Sequence, residues 1–295
     1  MVAEKEHHDW LDGSMYPFTS KFFSTSVGKM HYLDVGVGEP IVMVHGNPSW
    51  SFEFRNLIKI FSPTQRCIAP DHLGFGLSEK PEDWSYLPKE HANNLEALLN
   101  SLDLWNITLI VGDWGGPIGL SYAIKYPKRI RNILITNTWM WSVKDDWYYQ
   151  LFSKFTGGIL GKFFIKQFNF FARTILWATY GDKSKLTPEI HRHYLMPLQE
   201  KNERKGNWVF PWQITASSDW LESLWKKRDE LHKKNILIAW GMKDIAFREK
   251  ELKRWKAAYP QARVITYPEV GHFVIEEEPQ KIAHEMQMNF FSGDE

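Results

Sequence analysis

Residues 107–120 read ITLIVGDWGGPIGL, and this stretch decides what kind of chain the rest must be. Ile107 to Val111 form an unbroken, largely β-branched run, the pattern of a strand buried on both faces in a parallel sheet. Gly115 and Gly116 follow, where a tight strand-to-helix turn leaves no room for side chains. Pro117 suits the first turn of a helix, because its missing N–H costs nothing there. Asp113 is left at the bend, beyond the carboxyl end of the strand. Open parallel sheets place their ligand sites there, so this carboxylate is a candidate for chemistry.

The same rhythm extends in both directions. PIVMVHG (40–46), RCIAPD (66–71), RNILITNT (131–138), NILIAWG (235–241) and ARVITYPEVG (262–271) are further short apolar runs. SKFFSTSVGKMHYLDVG (20–36) reads as two strands turning at Val27-Gly28-Lys29, an antiparallel hairpin at a sheet edge. Helical patterns lie between the runs, among them PKEHANNLEALLNSLDL (88–104) and GGPIGLSYAIKYP (115–127). The alternation predicts an α/β protein with right-handed crossovers and a mostly parallel central sheet of about eight strands flanked by helices. From 139 to 215 the strands stop and aromatic-rich helical segments take over. The expected organisation is a core of residues 1–138 and 216–295, with a helical cap insertion at 139–215, because strands resume at Asn235. Trp139, Trp141, Phe152, Phe164, Phe168, Phe171 and Trp177 are expected to form mostly the interior of that cap, with a subset lining a pocket.

The 295 residues carry 36 Lys+Arg against 35 Asp+Glu, a formal net charge of +1. No long-range field therefore favours nucleic acid or an anionic membrane. With 15 Trp and 19 Phe the chain can line a sizeable apolar cavity, which points to a small neutral molecule as partner. No apolar run reaches the ~18 residues that a membrane span requires. Cys67 is the single cysteine. It rules out an internal disulfide and a Cys-based zinc cage, and with the polar opening MVAEKEHHDW it suits a cytoplasmic protein. His191 and His193, two apart on a helical pattern, face different directions and make a poor metal pair. KKRDELHKK (226–234) reads as a solvated helix face, and the acidic run at 276–278 as carboxylates favoured by a helix N-terminus.

Three further polar residues follow strand-like runs: Asn47 in the turn HGNP, Asp244 in GMKD and His272 in EVGH. Nucleophile candidate, acid and histidine thus occur in the chain order of the α/β-hydrolase triad, with Asp113 on the nucleophile elbow. The elbow departs from the G-x-S-x-G form in having Val111 at its first position and aspartate in place of serine. A carboxylate is already ionised at neutral pH and can displace a leaving group from carbon directly. His272 is then free to activate water against the resulting ester, with Asp244 orienting the imidazole. Backbone N–H groups of Trp114 and of the HGNP turn can receive the oxyanion. The indole N–H of Trp114 and the amide of Asn47 are neutral donors that suit a halide. Blander readings stand beside these: Asp244 as a helix cap, Asn47 as a turn former, Trp114 as packing, and Asp71 in DHLGFGLS as a loop-bracing acid.

HGNPSWSFEFR (45–55), APDHLGFGLSEKP (69–81), VGDWGGPIGL (111–120), NTWMW (137–141), WGMKDIAF (240–247) and GHFVIEEEP (271–279) together resemble a haloalkane dehalogenase, from about residue 15 to the C-terminus. The resemblance implies the α/β-hydrolase fold and hydrolysis of a halogenated alkane to alcohol, halide and proton, without a cofactor. It assigns Asn47 and Trp114 as the halide donors. It also assigns Asp244 as the triad acid, since Asn137 stands where one subfamily carries glutamate. An epoxide hydrolase shares the fold and nucleophile but needs acids such as Tyr148, Tyr149, Tyr180 or Tyr194 to protonate the opening oxygen. A hydrolase-fold binding protein with little turnover is the third reading.

Overall fold

A computed structural model describes residues 8–292. The strands are β1 (Lys21–Ser24), β2 (Lys29–Val35), β3 (Pro40–Val44), β4 (Arg66–Pro70), β5 (Ile107–Val111), β6 (Ile130–Thr136), β7 (Asn235–Gly241) and β8 (Arg263–Tyr267). They form one eight-stranded sheet in the order β1-β2-β4-β3-β5-β6-β7-β8. The pairs β1/β2 and β2/β4 are antiparallel and every later pair is parallel, so the hairpin lies at one edge.

Continuous apolar runs are needed because both faces are covered. Along β5, Leu109 and Val111 join one core cluster and Ile110 the other, and β6 and β7 alternate in the same way. On one face pack α1 (Arg55–Phe61) and α11 (Pro279–Met286), with Leu57, Ile58 and Ile282 fully buried. On the other lie α2 (Pro88–Ser101), α3 (Gly115–Lys125) and α10 (Glu249–Ala258), with Leu95, Ile118 and Trp255 buried.

Between β6 and β7 every element is helical: α4 (Trp147–Gly157), α5 (Ile159–Phe168), the π-helical turn Phe171–Ile175, α6 (Leu176–Thr179), α7 (Pro188–Leu195), α8 (Lys205–Ala216) and α9 (Ser218–Trp225). Asn169, left-handed at φ 52°, ends α5. The aromatics of this stretch divide. Trp139, Trp141 and Phe171 are buried. Phe164, Phe168 and Trp177, expected in the interior, are 41, 57 and 48% exposed, because the chain packs only one face of these helices.

Of the two charge runs one differs from expectation, and in the other Glu276 and Glu277 do stand in the first turn of a short helix, Val274–Glu277. Residues 226–234 contain only the short 3-10 turn Arg228–Leu231, with Leu231 buried. Within 276–278 two carboxylates are buried by specific partners. Glu276 forms a bidentate pair with Arg55 at 2.5 Å and accepts from Tyr194. Glu277 accepts N–H bonds from Gly181, Asp182 and Gly271. The charges serve to anchor loops of the fold.

Candidate active site

β3 lies between β4 and β5 in the sheet, so the chain leaves β3 to one side and returns on the other. That crevice is a topological switch point, the usual ligand position in an open parallel sheet. Asn47 and Asp113 flank it, beyond the ends of β3 and β5. Asp244 and His272 come from the loops after β7 and β8.

The turn that holds Asp113 is strained and heavily tied. Asp113 sits at φ 46°, a region side chains rarely adopt. Its N–H donates to Asn137 O at 2.9 Å, and its carbonyl accepts from Gly116 N and Thr138 Oγ1. A Cβ at Gly115 would lie 2.0 Å from the Val44 carbonyl oxygen, so this turn closes only with glycine there. A Cβ at Gly46 would meet Asp113 Oδ1 at 2.2 Å. Glycine at that point lets the HGNP turn approach, and Asn47 N–H donates to Asp113 Oδ1 at 2.7 Å.

Asp113, His272 and Asp244 come together as one line. His272 Nε2 is 3.6 Å from Asp113 Oδ2, and His272 Nδ1 is 2.8 Å from Asp244 Oδ2. Asp244 also accepts from Ala246 N at 2.6 Å and from Asn137 Nδ2 at 2.9 Å. It does not cap α10, whose N-cap is Arg248. The backbone N–H of His272 donates to Thr179 O at 2.9 Å, which ties the end of α6 to the histidine loop.

Electrostatics follow from this crowding. Burial raises the Asp113 carboxyl above the ordinary aspartate value, opposed by His272 and by the N–H groups of Asn47 and Trp114. Burial alone would lower His272, but Asp244, through charge and hydrogen bond, and then Asp113 outweigh it and push the imidazole up to about 9. The resting histidine is therefore a cation held between two carboxylates.

A cavity of about 130 Å³ opens on this line. Asn47, Asp113, Trp114 and His272 contribute to its wall, and Trp139, Phe152, Phe171 and Phe247 are among its apolar lining. Trp114 is 2% exposed and packs edge-on against Trp139 at 4.6 Å and stacked on Phe210 at 5.3 Å, so packing and donor roles coexist. Tyr148 and Tyr149 also line the cavity, but their hydroxyls donate to the carbonyls of Ile245 and Ala246. Tyr180 and Tyr194 lie elsewhere, buried against Phe273.

A second cavity, of about 10 Å³, is lined by His45, Ser49, Glu53, Thr136 and His272 as well as Asp113. This is about the space one water needs. Glu53 was not singled out in the sequence. Ser49 Oγ donates to Glu53 Oε2, and burial pushes the carboxyl up to about 7 against the effect of Ser49 and His272. The available signal was a lone acid inside the aromatic run SFEF. The sequence marks Asn137 only as standing where one subfamily carries glutamate, whereas its side-chain amide donates to Asp244.

Asp71 braces its loop, accepting from Ser51 N, Leu77 N and His31 Nδ1 at 2.7–2.9 Å. His191 and His193 turn apart, to Ala172 O and Asp12 N. Among the described residues no cluster of three or more His, Cys, Asp or Glu could hold a metal ion, and no helix is long and apolar enough to cross a membrane.

Residues 39–279 match the family described as alpha/beta hydrolase fold. A protein named haloalkane dehalogenase 2 from Mycobacterium tuberculosis is 35% identical over 274 residues, covering 92% of this chain and 95% of the relative. A cis-3-alkyl-4-alkyloxetan-2-one decarboxylase from Shewanella oneidensis is 36% identical over 282 residues, covering 91% and 87%. The crystal structure of a haloalkane dehalogenase variant from Agrobacterium tumefaciens superposes with a TM-score of 0.82 at 24% identity, covering 96% of this chain and 98% of that one.

Proposed function

The chain belongs to the alpha/beta hydrolase fold family, in the branch it shares with haloalkane dehalogenases, and from that premise we propose that it is a haloalkane dehalogenase with Asp113 as nucleophile. The observation that carries the reading is the Asp113–His272–Asp244 line opening on a mainly apolar cavity beside two neutral side-chain donors. In this reading residues 139–215 act as the cap, and the site residues are Asp113, His272 and Asp244 with Asn47 and Trp114.

Asp113 Oδ1 is held by Asn47 N–H, which leaves Oδ2 to attack the carbon bearing the halogen. The carbon–halogen bond breaks with its electron pair on the halide, and the Trp114 indole N–H and the Asn47 amide receive the anion. Esterification neutralises Asp113. One of the two carboxylates that keep His272 charged is thereby lost, so the imidazole releases its proton to solvent and can act as a base. His272 takes a proton from water, whose oxygen attacks the ester carbonyl carbon. The oxyanion forms at Oδ1, already seated on Asn47 N–H, and Trp114 N–H is the second donor. Alcohol and carboxylate separate, and the net products are alcohol, halide and one proton. No cofactor takes part, and the lone buried Cys67 is in keeping with action in the cytoplasm.

The second reading rests on the equally similar decarboxylase. A cis-3,4-dialkyloxetan-2-one loses carbon dioxide to leave an alkene, and the same donors could receive the oxygen of the opening ring. The epoxide hydrolase reading is weakened because both tyrosines at the cavity already donate to backbone carbonyls.

The deciding experiment offers the protein a panel of bromoalkanes and chloroalkanes, a cis-3,4-dialkyloxetan-2-one and styrene oxide. Halide with one equivalent of acid supports the proposal. Carbon dioxide and alkene without halide transfer the site to decarboxylation, diol transfers it to epoxide opening, and silence throughout leaves a binding protein.

A further inference from the structure

α4 faces two ways. Tyr148, Tyr149 and Phe152 line the catalytic cavity, while Trp147, Leu151 and Phe155 are 71, 62 and 51% exposed on its outer side. Their spacing of four residues makes one stripe. The stripe continues onto α5 through Ile159, Leu160 and Phe163, which are 90, 64 and 52% exposed. A shallow groove lined by Leu151, Phe155, Ile159, Leu160 and Trp212 joins the two helices, so these residues form one surface. Nine of the 17 large exposed hydrophobic residues among the described ones fall between 147 and 177. Soluble surfaces rarely concentrate apolar groups in this way unless something covers them.

The charge of the same segment says what covers it. Residues 147–181 contain Lys154, Lys162, Lys166 and Arg173 and no Asp or Glu, in a chain whose total charge is +1. Whole-chain balance hides this local excess of four cations, which is why it gave no expectation of membrane binding. Lys154, Lys162 and Arg173 are exposed, and the Lys162 ammonium lies over the Trp208 ring at 4.3 Å, so cation and aromatic surface are interleaved. Aromatic and aliphatic side chains interleaved with cations are the composition of a helix that lies in a membrane interface.

We propose that the outer face of α4 and α5 docks on the surface of an anionic phospholipid bilayer. The apolar stripe enters the headgroup boundary, and the exposed Lys154 of α4 and Lys162 of α5 meet lipid phosphates. A second copy of the chain fits less well, because a twofold contact sets a patch against itself and opposes lysine to lysine. Docking lays the bilayer against the helix that walls the cavity.

The test is flotation of the full chain with unilamellar vesicles of phosphatidylcholine, with or without about 30% phosphatidylglycerol, at low and high salt. The wild type should float with the anionic vesicles, and much less with the neutral ones or at about 1 M salt, where the Debye length is ~3 Å. Ile159→Glu with Leu160→Glu should cut the partition coefficient at least tenfold. Lys154→Gln with Lys162→Gln should cut it about fivefold per cation. Far-UV circular dichroism and melting curves report whether each variant is folded. Absence of wild-type flotation from either vesicle overturns the proposal, and so does flotation of folded variants equal to wild type. An oligomer seen by light scattering, dissolved by the Glu pair and indifferent to vesicles, assigns the face to self-association instead.

Discussion

The strand-end rim and the helices that close over it meet at one cavity, yet they are held by different means. At the rim the proposed reactive residues are fixed by directional hydrogen bonds: Asp113 by its N–H to Asn137 O and by Asn47 N–H to its carboxylate, and Asp244 by Ala246 N–H and the Asn137 side-chain amide. Over it the walls are mainly rings and aliphatic groups, with few directional contacts. On the proposed reading the sheet thus fixes the reacting atoms, while packing within 139–215 shapes the space a substrate must fill. Rim substitutions should change chemistry by orders of magnitude, and cap substitutions should change it little.

The largest effect is expected for Asp113→Asn. Asparagine tolerates left-handed backbone, so the turn should persist while halide release falls on the order of 10⁴–10⁶-fold, as for other nucleophiles that act within a unit. Retained turnover would break the comparison at its centre. His272→Phe should slow turnover by about 10²–10⁴-fold and accumulate the ester, seen as an alkyl adduct on Asp113 in intact-protein mass spectra after a bromoalkane is added. An unmodified protein would remove the two-step scheme. Asp244→Asn should depress ester hydrolysis more than its formation, and equal slowing of both in rapid-quench traces would deny it the orienting role. Trp114→Phe removes one halide donor and should cost roughly 10²–10³ in rate, read as halide release at saturating substrate.

A smaller effect is the pH dependence of stability. His272 is raised to about 9, so its contribution is complete below the unfolded value of ~6.5 and is lost as pH climbs through 9. Glu53 is raised to about 7, so the folded form binds its proton more tightly and stability falls as pH rises from about 4.5 to 7. Melting curves of His272→Phe and Glu53→Gln should each lack the corresponding decline. A slope unchanged from wild type would mean that the group does not titrate in that window.

The parts of this design visible in the sequence are those a strand imposes. A strand buried on both faces must be apolar throughout, so β3, β5, β6 and β7 announced themselves, and with them the positions just beyond their ends. Asp113, Asp244 and His272, which the structure brings into one line, were therefore legible by place as well as by type. Asn137 and Glu53 were not, because their roles depend on which loops the fold brings together, Asn137 with Gly241 and Asp244 and Glu53 with His272. Between residues 139 and 215 the failure was one of sign. Helical aromatics normally face inward, and nothing in the spacing of Phe164, Phe168 or Trp177 tells an inner stripe from an outer one. The local run of cations without carboxylates was the distinguishing mark.

The smallest effect concerns the two contacts that cross between the regions. Tyr148 and Tyr149 donate to Ile245 O and Ala246 O, in the loop whose Ala246 N–H holds Asp244. If these hydroxyls only brace that loop, the Tyr148→Phe and Tyr149→Phe variants should each lose roughly 1 kcal/mol of stability. Because the Asn137 amide and Ala246 N–H remain on Asp244, ester hydrolysis should slow by no more than the same energy, about fivefold. Ester formation, which needs only Asp113 and the halide donors, should stay at the wild-type rate. If instead the hydroxyls protonate a leaving oxygen, the double variant would lose most of its ring opening of an epoxide, since Tyr148 and Tyr149 are the only phenols lining the cavity among the described residues. Pre-steady-state traces with a bromoalkane, run beside diol formation from styrene oxide, therefore separate a brace from a proton donor.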